Sequence, residues 1–138
     1  MATDFLKSIG IAASGLRTQS GRMRVIAENI ANADSTATTP GGAPYRRKIM
    51  TFDQKFDREL DAQTVAAGRI ARDQQPFKTR YEPGNPAANA RGEVQLPNVD
   101  MTVELMDMRE AQRSYEAGLN VITATRRMLQ RTIDLLRA

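Results

Sequence analysis

The chain has 138 residues, 41% of them hydrophobic, with three tyrosines, four phenylalanines and no tryptophan, which allows one domain with a modest core. The absence of cysteine and histidine excludes disulfides, the thiolate and imidazole ligands of most zinc, copper and haem sites, and Ser-His or Cys-His nucleophile pairs. A net charge of +4 is spread thinly along the chain, so no segment reads as a nucleic-acid tail, and no apolar run is long enough for a membrane span.

The N-terminal segment predicts a helix running to about residue 31. Thr3 or Asp4 is placed to cap it, and Ile9, Ala12, Leu16, Gln19, Met23, Ile26 and Ile30 recur at alternating heptad steps. Gly10, Gly15 and Gly21 interrupt it, each costing about 1 kcal/mol against alanine. Such a helix folds poorly alone, but small residues let another helix approach closely. Residues 9–16 have the apolarity of a short signal core. Only Lys7 precedes them as a basic residue, and the heptad pattern runs straight through any cleavage point, so no cleaved signal is expected. Asn29 and Asn32 stand where this helix must end, and asparagine tolerates the left-handed geometry of a C-cap.

Residues 32–44 are rich in small polar residues, proline and glycine, and read as a loop. Tyr45 to Phe52 alternates as a strand, with Arg46, Arg47 and Lys48 read as a solvated basic face. Residues 53–67 are ambiguous between a helical turn and an irregular excursion. Phe77, Thr79 and Tyr81 alternate with Lys78 and Arg80 as a strand. Glu82-Pro83-Gly84-Asn85-Pro86 is a turn cluster, and Val94 to Leu96 is a short strand stopped by Pro97. Five of the seven aromatics lie in this middle region, which implies a small β-rich insert with its own core.

From residue 101 the heptad pattern returns and runs to the end through Met101, Leu105, Met108, Gln112, Tyr115, Leu119, Ile122, Arg126, Leu129, Ile133 and Leu136. Asp100 is a good cap, and the charges follow the macrodipole, acidic early and basic late. A helix of this length spans roughly 50 Å. Its seam demands another long helix, from this chain or a neighbour. Glu104 and Asp107 share a face, but without histidine or a glycine-rich phosphate loop they do not make an active site. The expected fold is therefore mainly α with a small β insert. It divides into a helix at 1–31, a loop and β-rich middle at 32–98, and a helix at 99–138. No catalytic residue, cofactor or metal is expected.

Two stretches carry a resemblance. Glu28-Asn29-Ile30-Ala31-Asn32-Ala33, followed by Gly41-Gly42-Ala43-Pro44-Tyr45-Arg46-Arg47-Lys48, resembles the N-terminal signature of bacterial flagellar basal-body rod proteins. Tyr81 to Ala87, Pro97 to Asp100, Glu104 to Met108 and Arg113 to Ala117 are similar to further motifs of that family, in the same order. The chain departs from it at Asn85, Glu93 and Gly118, where histidine, tyrosine and asparagine are usual. The resemblance implies a non-catalytic subunit that polymerises, with copies of itself and other rod proteins, into the axial shaft joining motor to hook. It also implies contacts with MS-ring or adaptor proteins at the rod base, export through the flagellar type III apparatus without a cleaved signal, and a place in the periplasm-spanning basal body. It implies neither nucleic acid nor a membrane span. On this reading the assembly interface comprises Ile9, Leu16, Met23, Ile26, Asn29, Ile30 and Asn32 with Leu105, Met108, Tyr115, Leu119, Ile122, Leu129, Ile133 and Leu136. From the residues alone, a cytoplasmic coiled-coil scaffold or adaptor stays open, and so does a basic nucleic-acid-binding module.

Overall fold

The fold is that of a computed structural model, which describes residues 2–137. Its elements are α1 (Ala2–Ala31), β1 (Lys48–Asp57), β2 (Ala62–Arg72), β3 (Lys78–Tyr81), β4 (Glu93–Leu96) and α2 (Met101–Arg137). The architecture is mainly α with a small β middle, as the sequence predicts. β1 pairs with β2 and β3 with β4, in two separate two-stranded sheets. No helix among the described residues is long and apolar enough to cross a membrane. The chain forms two compact units, and each long helix contributes to both.

One unit contains the first part of α1, the distal part of the β1–β2 hairpin and most of α2. Residues 53–67, ambiguous in sequence, are the body of this hairpin. Both of its faces are largely exposed, although Met50, Phe52 and Phe56 alternate with Thr51, Asp53, Lys55 and Asp57 along β1. Its tight connection places Asp61 at φ 45°, while Asp57 Oδ1 accepts from the backbone N–H of Glu59 (2.9 Å) and Leu60 (3.3 Å). Leu60 lies on Gly10 of α1, where an added Cβ would stand 2.6 Å from its Cδ1. Leu16 lies in the same way on Gly118 of α2, at 2.8 Å. An asparagine at 118, the usual residue of the resembling family, would displace Leu16.

The β2 edge is held by side-chain hydroxyls in place of a third strand. Thr18 Oγ1 shares its one proton between the Ser14 carbonyl of its own helix (2.9 Å) and the carbonyl of Val65 (3.2 Å), and the N–H of Val65 donates to Ser14 Oγ (3.4 Å). Ser14 and Thr18 are one helical turn apart and both buried, so α1 satisfies both backbone groups of one strand residue.

The other unit contains the end of α1, the loop after it, β3, β4 and the first turns of α2. Its small core gathers Val25, Ile26, Ala87, Val94 and Val99. β3 and β4 are antiparallel, with Lys78 opposite Leu96 and Tyr81 opposite Glu93. Gly92 closes the turn at φ 78°, and a Cβ there would meet the Tyr81 ring at 2.9 Å. Asp100 caps α2 as expected, its Oδ1 accepting from the N–H of Thr102 at 2.9 Å.

The end of α1 differs from expectation. Only Asp61, Gly41 and Gly92 have positive φ among the described residues, so neither Asn29 nor Asn32 adopts the left-handed conformation. Asn32 terminates the helix with its side chain instead, Nδ2 donating to the Glu28 carbonyl at 2.8 Å.

The hydroxyl clip is testable. Thr18→Val keeps the shape but leaves the Val65 carbonyl without its donor, and should lower the unfolding free energy in urea by about 1 kcal/mol. Thr123 donates only to Leu119 of its own helix at an exposed position. Thr123→Val should change stability by less than about 0.5 kcal/mol.

Candidate assembly surface

Two features bear on assembly: a polar anchor that fixes where the chain leaves α1, and apolar surface left uncovered on the helices.

Asn29 is the anchor. It is 1% exposed, and its amide makes four hydrogen bonds. Nδ2 donates to the Lys48 carbonyl (2.8 Å) and to Glu104 Oε2 (3.1 Å), while Oδ1 accepts from the Lys48 N–H (2.9 Å) and the Tyr45 hydroxyl (2.8 Å). The helix end, the first residue of β1 and the start of α2 are thereby tied to one side chain. Glu104, wholly buried, also accepts from Arg47 Nε at 2.5 Å. Arg47 further reaches Asp73 Oδ2 at 3.4 Å and Asp107 Oδ2 at 3.5 Å, and Lys48 Nζ pairs with Glu28.

The expectation of a solvated basic face at residues 46–48 is therefore corrected. Arg47 N–H donates to Asn98 Oδ1 (2.8 Å) rather than to a sheet ladder, which is why β1 begins only at Lys48 and why the guanidinium turns inward. Arg46 lies over the Phe77 ring, 4.2 Å from its centroid, and donates to the Asp73 carbonyl at 2.8 Å. The signal for this was present in the sequence: Glu104 and Asp107, one turn apart on α2, face a common cation. Burial alone would lower the Arg47 guanidinium, but its bonds to Glu104 and Asp73 outweigh that and raise it above its ordinary value. Burial, reinforced by the Glu28 and Glu104 carboxylates, pushes the Tyr45 phenol up to about 12.

The predicted seam residues separate into two sets. On α1, Ile9, Leu16, Met23 and Ile30 are half-buried, Ile26 and Asn29 are buried, and Asn32 is half-buried. On α2 the line turned inward is Glu104, Met108, Ala111, Tyr115, Gly118, Ile122, Thr125, Leu129 and Thr132, itself a strict alternation of four and three. Of the sequence-derived seam, only Met108, Tyr115, Ile122 and Leu129 belong to it. Met101, Leu105, Leu119, Ile133 and Leu136 stay exposed, as do the polar positions Gln112 and Arg126; Leu119 is 44% and Leu136 83% open. The inward line is hard to read from the sequence because four of its nine members are alanine, glycine or threonine, residues with little apolar weight. Glu110 accepts from Arg22 of α1 at 3.0 Å, a cross-helix pair. In the unit holding the hairpin, a groove of about 700 Å³ opens beside α1, lined mainly by apolar and small residues, including Ile11, Gly15, Phe52, Val65, Gly118 and Val121.

Two outcomes follow from the anchor. Arg47→Met strands the buried Glu104 carboxylate and should cost about 3–5 kcal/mol in urea unfolding. Adding Glu104→Met should restore more than half of that loss. The Tyr45 phenol is held neutral by the fold, so its contribution is complete below its unfolded value of about 10 and is lost as pH rises toward 12. Stability of the native chain should therefore fall across that window. Tyr45→Phe should flatten the fall, and in ultraviolet titration Tyr45 should ionise at the upper end of the window.

Comparison with known proteins accords with this geometry. Residues 9–37 match the family model described as flagella basal body rod protein, and residues 90–135 match that described as flagellar basal body rod FlgEFG protein C-terminal. The flagellar basal-body rod protein FlgC of Agrobacterium fabrum is 50% identical over 128 residues, covering 93% of this chain and 92% of the relative. FlgC of Escherichia coli O6:H1 is 40% identical over 130 residues, with 94% and 96% covered. FlgC of Bacillus subtilis is 36% identical over 143 residues, with 93% and 95% covered. The two rod-family matches fall on α1 with its terminal asparagines and on β4 with α2, and with relatives this similar over nearly its whole length the chain belongs to the FlgC family of flagellar basal-body rod proteins.

Proposed function

We propose that this chain is a structural subunit of the proximal flagellar rod, polymerising with copies of itself and with other rod proteins into the axial shaft that carries motor torque to hook and filament. The observation that supports this reading most directly is the second apolar line on α2. A monomer of this size has no use for a helix with one line turned inward and Leu105, Leu119, Ile133 and Leu136 left open to water. A subunit that packs against neighbours along its length does. The inward residues of the sequence-derived interface, Leu16, Ile26, Tyr115 and Ile122 among them, hold the subunit's own helices, and the exposed ones meet other subunits. The subunit leaves the cell through the flagellar type III apparatus without a cleaved signal and joins the periplasm-spanning basal body. At the rod base it meets MS-ring or adaptor proteins.

Leu119→Asp tests this reading. Leu119 is exposed, so the substitution should change the stability of the isolated chain by less than about 0.5 kcal/mol. In a strain lacking its own copy, the variant should be exported yet build no rod and restore no swimming. Full swimming with Leu119→Asp would show that this line meets nothing.

A further inference from the structure

Arg47 turns inward to the anchor, but Arg46 and Lys48 on either side of it line a separate pocket of about 440 Å³ within the same unit. The charged groups of that lining are Arg46, Lys48 and Arg72 against a single carboxylate, Glu28. Lys48 Nζ pairs with Glu28, so those two charges offset each other. Asp73, next in the chain to Arg72, is engaged elsewhere: its Oδ2 accepts from Arg47 at 3.4 Å and its Oδ1 from the Gln75 N–H at 3.0 Å. Two guanidiniums are left without a carboxylate.

Arg46 is fixed in place yet only partly used. Its guanidinium lies 4.2 Å from the Phe77 ring centroid, and Nη1 donates to the Asp73 carbonyl (2.8 Å) and the Gln75 carbonyl (3.1 Å). Its Nε and Nη2 have no hydrogen-bond partner among the described residues. Arg72, the last residue of β2, is exposed, and its side chain makes no hydrogen bond or ion pair among the described residues. A solvated arginine is ordinary by itself. An immobilised guanidinium with its two-nitrogen edge unused, sharing a pocket with a second one, is what bidentate recognition of an oxyanion needs. The remaining lining decides which oxyanion. Glu28 stays in the wall and repels a doubly charged phosphate more than a singly charged carboxylate. Pro44 and the Tyr45 and Phe77 rings offer apolar surface to the methylenes of a side chain and nothing to a bare ion. We propose that this pocket recognises an acidic peptide segment of a partner protein, one glutamate or aspartate carboxylate being held by the Nε and Nη2 edge of Arg46 and by Arg72. The site is separate from the apolar line of α2 and goes beyond the rod-subunit reading.

The isotope-labelled full-length chain would be titrated with three probes: a blocked peptide with one central glutamate, its glutamine counterpart, and inorganic phosphate. Binding is followed by NMR at the Arg46 and Arg72 Nε–H signals. The glutamate peptide should shift both signals saturably, and added salt should weaken it. The glutamine peptide and phosphate should each bind roughly tenfold more weakly or worse. Arg72→Gln breaks no side-chain bond of the fold, so it should weaken the glutamate peptide about fivefold or more while leaving the urea midpoint unchanged. The proposal is overturned if the glutamate peptide does not saturate in the millimolar range, if the glutamine peptide binds equally, or if Arg72→Gln has no effect. Phosphate binding as tightly as the glutamate peptide would show an adventitious ion only, and would overturn it too. In a strain lacking its own copy, Arg72→Glu should lower swimming at least twofold, and full swimming would overturn the partner role. That last arm alone uses the rod-subunit reading; failure of the unaltered chain to restore swimming would count against that reading and not against the pocket.

Discussion

Asn29 is the residue on which the geometry of its unit depends. A buried amide is tolerated only when its donors and acceptors are used, and here the four hydrogen bonds reach Tyr45, both backbone groups of Lys48, and Glu104. Because two of the four partners are the backbone N–H and carbonyl of Lys48, the first residue of β1 is held as it would be by a neighbouring strand. Because a third is Glu104, the start of α2 is brought to the same point. An apolar residue at 29 would take a partner at once from Glu104 Oε2, the Tyr45 hydroxyl and both backbone groups of Lys48. No single apolar contact in this small core carries a comparable penalty, so the direction in which the chain leaves α1 is set by polar complementarity rather than by packing.

Glycine and hydroxyl residues play the corresponding part in the unit holding the hairpin. A two-stranded hairpin is marginal in water, and this one exposes most of both faces. It is held by Leu60 lying on Gly10, by the Ser14 and Thr18 hydroxyls on Val65, and by Lys7 with Asp61 at 3.3 Å. Each of these contacts is lateral and local. They leave the hairpin in place while adding little apolar burial, which keeps its stability at the low end of the molecule.

Much of this was legible in the sequence because α1 and α2 have strong heptad periodicity and clear punctuation between them. The Asp100 cap, the turn at 82–86 and the short β4 follow from local chemistry that needs no tertiary information. The hairpin did not follow, because the alternation of Met50, Phe52 and Phe56 with Thr51, Asp53, Lys55 and Asp57 along β1 has no counterpart in β2, where Ala66, Ala67 and Gly68 carry little apolar weight. The inward line of α2 did not follow either. Ala111, Gly118 and Thr125 are selected for close approach, and hydrophobicity does not register that. Alternation counted from Tyr45 puts Arg47 on a solvated strand face, whereas its backbone N–H donates to the Asn98 side chain and its guanidinium turns to Glu104. In each case a side-chain partner distant in sequence replaced the local rule.

The outer line of α2 has a consequence for how such a helix meets its neighbours. Leu105, Gln112, Leu119, Arg126 and Ile133 are spaced one heptad apart, apolar and polar in alternation. A straight α-helix drifts by about 20° per heptad against a strict seven-residue repeat, so Ile133 faces about 80° away from Leu105 around the axis. A single partner helix could follow that line only by supercoiling with it. Several neighbours, each contacting one apolar position and separated by the polar ones, need no supercoil. An alternating line that winds slowly around a straight helix suits a shaft in which every subunit touches more than one other, and a dimeric coiled coil would have little use for Gln112 and Arg126 where they stand.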